Sequence, residues 1–252
     1  MQQAKKIFKG LMVPAVVLIL WQIASRAGVL NPYIIPPPAK ILDTAMILIK
    51  KGILSKHVAV SLYRGSLGFM AAFAFAFPTA VLLGLTPGLE DYLNPSLDFI
   101  RHIPPIAVIP MLILWLGIGE PPKIAVIILA SFFPIFLNTL SGVLNCDDKL
   151  LEVGDVFGFS QREKFFRIIL PAAMPSVMVG MRLGLGYSWR ALIGAELIAA
   201  SSGIGYMIMD AEQLSRPDII LVGIMTLGLL GCVIDFLFFS LTGGLTKGKE
   251  GV

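Results

Sequence analysis

The 252-residue sequence predicts an all-α membrane protein of about six transmembrane helices, with one charged loop and one surface amphipathic helix between them. Three observations carry that expectation. Hydrophobic residues make up 56% of the chain and charged residues only 14%, whereas a soluble domain carries about 25% charged residues. So much apolar side chain requires a second apolar solvent, which is lipid. Apolar runs near the roughly 20 residues needed to cross hydrocarbon recur six times, and most of the charge gathers between them. The length fits one membrane domain. It divides into a first span with an external amphipathic segment (1–60), a core (61–245) containing a polar loop at 145–170, and a tail (246–252).

Taken in order, the spans are expected near 11–27, 61–85, 105–118, 124–144, 172–200 and 218–241. The first follows Lys5, Lys6 and Lys9 as a signal peptide would. No convincing small-residue cleavage site follows, so it reads as a retained span. After Pro32 and Pro36-Pro37-Pro38, which cannot be helix interior, Ile41, Leu42, Ala45, Met46, Leu48 and Ile49 recur at helical spacing. Lys40, Asp43, Lys50 and Lys51 take other positions, the pattern of a helix lying along a membrane surface. The third span is short and begins at Pro104, Pro105 and Pro110.

Segment 145–167 is the most charged part of the chain, yet it keeps helical periodicity. Leu150, Leu151, Val153, Val156 and Phe157 form one set, and Phe165, Phe166, Ile168 and Ile169 another. It reads as two short amphipathic helices broken near 158–160. A short helix of this kind can lay its apolar face into a groove on a partner. Gly158 permits a sharp break, and Pro171 is placed to start the next span, where its missing N–H costs nothing.

Several function classes are excluded or weakened. No GxxxxGK[ST] phosphate loop, HExxH or GxSxG occurs. His57 and His102 are too few for a histidine cluster, and Cys146 and Cys232 form no metal-ligand pattern. Two free thiols are expected, with no cofactor and no metal. The net charge of +4 comes from scattered Lys and Arg, which suit anionic lipid head groups rather than nucleic acid. With the N-terminus inside, ten Lys and Arg fall on the cytoplasmic side and eight outside, a thin margin.

The run Glu152-Val153-Gly154, then Gly158, then Ile168, Leu170 and Pro171, resembles the cytoplasmic signature of importer permeases of the ATP-binding-cassette type. That signature reads E-A-A, three residues, G, nine residues, I, one residue, L-P. Val153 and Gly154 replace the alanines with small or apolar residues. Ser61 to Phe69, Phe99 to Glu120, Phe132 to Thr139 and Gly194 to Tyr206 are similar to the nitrate, sulfonate and taurine branch. The resemblance covers roughly 60–240. It implies a coupling helix at 145–170 that docks into a separate ATPase. It also implies a homodimer of permease subunits, two ATP-binding subunits and an external solute-binding protein. The setting implied is a prokaryotic plasma membrane, with both termini cytoplasmic. An ion-coupled secondary carrier is the alternative, which would need internal repeats that the two halves do not convincingly display.

The fifth span carries two small-residue stripes, Gly180-Gly184-Ser188 and Ala191-Ala195-Ala199, which let helices pack closely in lipid. It also carries Arg182, Arg190 and Glu196. A charge at the bilayer centre costs about 2.5–3.5 kcal/mol on insertion scales, so these three need partners or water. Two readings stand: a wall of a water-filled, anion-attracting pathway, or ion pairs that hold the bundle together.

Overall fold

The computed structural model describes the backbone of residues 2–86 and 88–246, and the side chains of 12–86, 88–89 and 91–242. The side chains of Lys5, Lys6, Lys9 and Glu90, and the tail 247–252 with Lys247 and Lys249, lie outside the described residues. The described chain is helical, without strands. In chain order the helices are α1 (Gln2–Arg26), α2 (Pro38–Lys50), α3 (Ile53–Gly84), α4 (Leu89–Arg101), α5 (Ile109–Leu116) and α6 (Glu120–Leu144). They continue with α7 (Asp148–Val156), α8 (Gln161–Lys164), α9 (Leu170–Ala199), α10 (Ile204–Gln213) and α11 (Pro217–Thr246).

Among the described residues four helices are long and apolar enough to cross a membrane: Ile53–Gly84, Glu120–Leu144, Gln161–Ala199 and Pro217–Thr242. The other expected spans take different forms. Met12–Arg26 is a shorter apolar helix. The third is half of a broken pair, in which Asp91–Arg101 and Pro105–Leu116 meet at 81°. Pro104 and Pro105 remove two backbone donors and push the residues before them out of helical conformation, which breaks the helix there. A 3₁₀ turn, Pro105–Val108, then leads into α5.

Three further boundaries differ from expectation. The second span begins at Ile53 rather than 61, because Ser55, Lys56 and His57 are polar without being helix breakers. The stretch left as a connection between the spans expected near 172–200 and 218–241 is largely α10, which carries Asp210 and Glu212. Pro171 does not start a span. It lies inside a continuous helix from Gln161 to Ala199, directly after a π turn at Phe165–Ile169 in which the Leu170 N–H donates to the Phe165 carbonyl. A proline ring in a regular helix clashes with the carbonyl four residues back, and one wide turn relieves that clash.

The described residues form two compact units, one of residues up to 60 with 201–228, the other of 61–200 with residues from 229 onward. In the first unit α2 buries Ile41, Thr44 and Leu48; of the apolar set expected from its spacing Ile41 and Leu48 are buried, while Leu42, Met46 and Ile49 stay exposed. Thr44 donates to Asp218 (2.9 Å), and Arg216 pairs with the same carboxylate (2.7 Å). His57 Nδ1 accepts the Gly203 N–H at 3.0 Å.

The second unit is built around α6. Its buried residues pack against α3 through Ala72, Ala76 and Ala80 and against α9 through Ala173, Val177, Ala191 and Ala195. The backbones approach closely. A methyl at Gly180 would stand 2.9 Å from the Pro134 carbonyl, and one at Gly184 3.2 Å from that of Ser131. Ser131 in turn donates to the Gly184 carbonyl at 3.1 Å. A second stripe, Gly68-Ala72-Ala76-Ala80-Gly84, repeats every four residues on α3, where a methyl at Gly68 would meet Ile127 at 2.6 Å. Small residues at this spacing allow close packing where water supplies no hydrophobic force between helices.

Candidate functional site

The polar segment 145–170 folds as one short helix, α7, a fixed corner, and the start of the long helix Gln161–Ala199. Asp147 caps α7 by accepting the Lys149 N–H. At the other end Gly158 takes φ +67°, a left-handed conformation that costs a residue with a Cβ about 1–2 kcal/mol. Its N–H reaches the Asp155 carbonyl, and the Phe159 N–H reaches that of Gly154, both at 2.9 Å. That pair of bonds is the Schellman closure, which satisfies carbonyls a helix end leaves orphaned. Ser160 then opens α8 with a capping box, its hydroxyl accepting from Glu163 N–H while the Glu163 carboxylate accepts from Ser160.

Side chains brace the corner. Gly154 is buried, and a methyl there would meet Ile168 Cδ1 at 2.8 Å. Two residues fourteen apart in the sequence pattern thus touch. Lys164 pairs with Asp155, and the Arg167 guanidinium lies 5.0 Å over the Phe159 ring. Apolar residues of α7 remain open beside it: Leu150, Val153, Val156 and Phe157 are all exposed, Val156 at 86%. Glu152 and Gly158 are exposed, and Leu170 is partly buried behind the π turn. Pro171 is exposed on the long helix.

The three charges of α9 separate. Glu196 is fully buried. It accepts from the Ser61 hydroxyl (2.8 and 2.9 Å) and from Arg64 Nη1 (2.9 Å). Arg64, 1% exposed, also donates through Nη2 to Glu120 at 2.7 Å. Lys123, 3% exposed, reaches the same Glu120 carboxylate at 3.1 Å. Two cations and two carboxylates thus tie α3, α6 and α9 together, the arrangement of the ion-pair reading. Glu120 is about half exposed, and burial of the other three is tolerable only because each is paired and hydrogen-bonded.

Arg182 lies half-exposed on α9 and forms a two-point pair with Asp235 of α11, at 2.8 and 2.7 Å. Arg190 has no ion-pair partner among the described residues. Its guanidinium sits 5.6 Å over the Tyr187 ring. Sequence alone does not single out Ser61 and Arg64, because their partner Glu196 lies 135 and 132 residues away; Glu120 and Lys123 pair locally at i,i+3, but Glu120 reaches Arg64 across 56 residues.

The chain is similar to known transport proteins. The profile of the family described as binding-protein-dependent transport system inner membrane component matches residues 67–247. A Bacillus subtilis (strain 168) protein named for aliphatic sulfonates transport is 40% identical over 227 residues, covering 90% of this chain and 82% of its own. The taurine transport system permease protein of Escherichia coli (strain K12) is 32% identical, covering 88% and 82%. The nitrate import permease protein of Synechocystis (strain PCC 6803 / Kazusa) is 31% identical, covering 91% and 86%. Among solved structures, an inward-facing form of the MetNI methionine transporter superposes with a TM-score of 0.65 at 18% identity, covering 80% of this chain and 98% of that one. At that identity the likeness is one of fold.

Proposed function

The chain belongs to the binding-protein-dependent transport system inner membrane component family, and from that premise we propose that it is the permease subunit of an ATP-driven importer. Two copies form the translocation pathway for a small organic or inorganic anion, in keeping with relatives named for sulfonates, taurine and nitrate. Two ATP-binding subunits dock on the segment 145–170, and an external solute-binding protein delivers the solute. The protein sits in a prokaryotic plasma membrane with both termini cytoplasmic.

The observation that carries this reading is the apolar face of α7, open to solvent while the helix itself is braced by Gly154, Ile168 and the closure at Gly158. A braced amphipathic helix with one uncovered face transmits a push from a partner, because it cannot fold away when pressed. Glu152, Val153, Gly154, Gly158, Ile168, Leu170 and Pro171 form this handle. In the membrane, Arg190 is the pathway residue. Arg182 with Asp235, and Glu196 with Arg64, hold helices in place.

The test is Val156→Asp in the complete transporter. The chain should reach the membrane at normal yield, lose copurifying ATP-binding subunit and lose ATP-dependent uptake. Normal copurification and uptake would overturn the docking assignment. Uptake driven by an ion gradient without any ATPase would favour a secondary carrier instead.

A further inference from the structure

We propose that the cavity at the break between α4 and α5 is a solute site within each protomer, and that it takes an organic anion with an apolar body. The inference rests on the importer reading and names the chemistry of its membrane site. The cavity has a volume of about 590 Å³, within the roughly 300–1,000 Å³ that small-molecule sites occupy. Leu112, Trp115, Leu129 and Phe133 give it apolar walls, while Arg101 and Tyr187 supply its polar groups. Arg101 lies at the end of α4, where the 81° bend opens the wall. It holds Asp98 at 3.2 Å, and both partners remain partly exposed. The guanidinium thus keeps free donors for a second, incoming anion. The Arg190 guanidinium lies 5.6 Å from the centre of the Tyr187 ring, which puts a second positive charge next to a residue of the lining.

These features fit one kind of occupant. A planar guanidinium matches the oxygens of a sulfonate or carboxylate in two-point geometry. Inorganic nitrate would satisfy the guanidinium but leave the apolar walls uncovered. A neutral apolar molecule would fill the walls and ignore the charge. An alkanesulfonate of four to eight carbons does both. Each added methylene buried in the walls should tighten binding about fourfold.

The experiment measures equilibrium binding of radiolabelled hexanesulfonate to the full-length chain in nanodiscs, with nitrate and the butane-, hexane- and octanesulfonates as competitors. Saturable binding is expected, strengthening about fourfold per methylene from butane to hexane. Arg101→Gln should weaken it about tenfold or more, Phe133→Ala should flatten the chain-length dependence, and Leu129→Trp should fill the cavity and abolish binding. Elution as a monodisperse peak checks that each variant folds. Equal competition by nitrate, or binding unchanged in Leu129→Trp and Phe133→Ala, would overturn the proposal. So would hexanol competing as well as hexanesulfonate, which would mark the cavity as a seat for lipid tails. Copurification of the ATP-binding subunit is read in parallel. Its loss speaks against the importer reading, whereas absent hexanesulfonate binding with the ATPase retained speaks against this site alone.

Discussion

At the scale of single residues, the chemistry of Arg64 governs the interior of the second unit. Its guanidinium is 1% exposed and serves two carboxylates, Glu196 and Glu120. Removing one partner of a buried pair leaves the other charge without compensation, at a cost of about 3–5 kcal/mol. Arg64→Met should therefore lower the thermal unfolding midpoint and the yield of folded protein in detergent. Adding Glu196→Leu to that variant should restore much of the loss, because the buried carboxylate that faced the guanidinium is gone. Additive losses in the double variant would refute the coupling. The two exposed arginines of α9 predict a different split. Arg190→Ala should cut solute uptake while assembly and basal ATP hydrolysis persist. Arg182→Ala, which strands Asp235 beside an apolar span, should lower subunit yield first. If Arg190→Ala instead leaves uptake intact and lowers stability, the pathway role falls. Sequence alone flagged Arg182, Arg190 and Glu196 because charge in an apolar run is expensive anywhere. It did not separate them, since each one's partner or lack of one is set by tertiary contact.

At the scale of elements, legibility followed local chemistry. In segment 145–170 the short helix α7 and the break at Gly158 were readable, because periodicity, capping residues and a glycine act within a few positions; that the second helix runs on into the span Gln161–Ala199 was not. The π turn was not readable. It answers a clash between Pro171 and a carbonyl four residues earlier, and the same proline would serve equally well as a first helical residue. The bend after Arg101 was half-readable: the prolines marked a break, but the 81° angle depends on what packs around it. The stripe Gly68 to Gly84 went unnoticed inside a generally apolar run, although its four-residue period was present. The corner at Gly158 gives the element-scale prediction. Gly158→Val forces a β-branched residue to φ +67°, against about 1–2 kcal/mol of left-handed strain. The segment should relax by turning α7 away from its braced direction. Membrane insertion should stay normal while ATP hydrolysis continues without transport. Copurification of the ATPase at normal yield together with normal uptake would defeat that expectation.

At the scale of the whole molecule, orientation is the property that sequence constrained least, because ten basic residues inside against eight outside is a small bias. Burial changes the count. Arg64 and Lys123, which with Arg26, Lys40, Lys50, Lys51, Lys56 and Arg216 make up the eight outside, are buried and paired with carboxylates, so they cannot interact with a membrane surface. Lys164, assigned inside, is likewise buried and paired with Asp155. Removing them leaves nine basic residues inside and six outside to meet anionic lipid head groups in the folded protein, whereas the insertion bias itself is set by position near the span ends. The amphipathic helix α2 keeps Lys40, Lys50 and Lys51 on the minority side and opposes this bias. A labelling experiment decides the matter. Cys146 and Cys232 form no disulfide and are replaced by serine. Single cysteines are then placed at Ser160, exposed at the corner of 145–170, and at Ser55, exposed in the first turn of α3. In sealed right-side-out vesicles an impermeant maleimide should modify Ser55→Cys and spare Ser160→Cys until the membrane is broken. In inverted vesicles the pattern should reverse. Labelling of Ser160→Cys from the outside would place α7 away from any cytoplasmic ATPase, and would remove the docking role assigned to its apolar face.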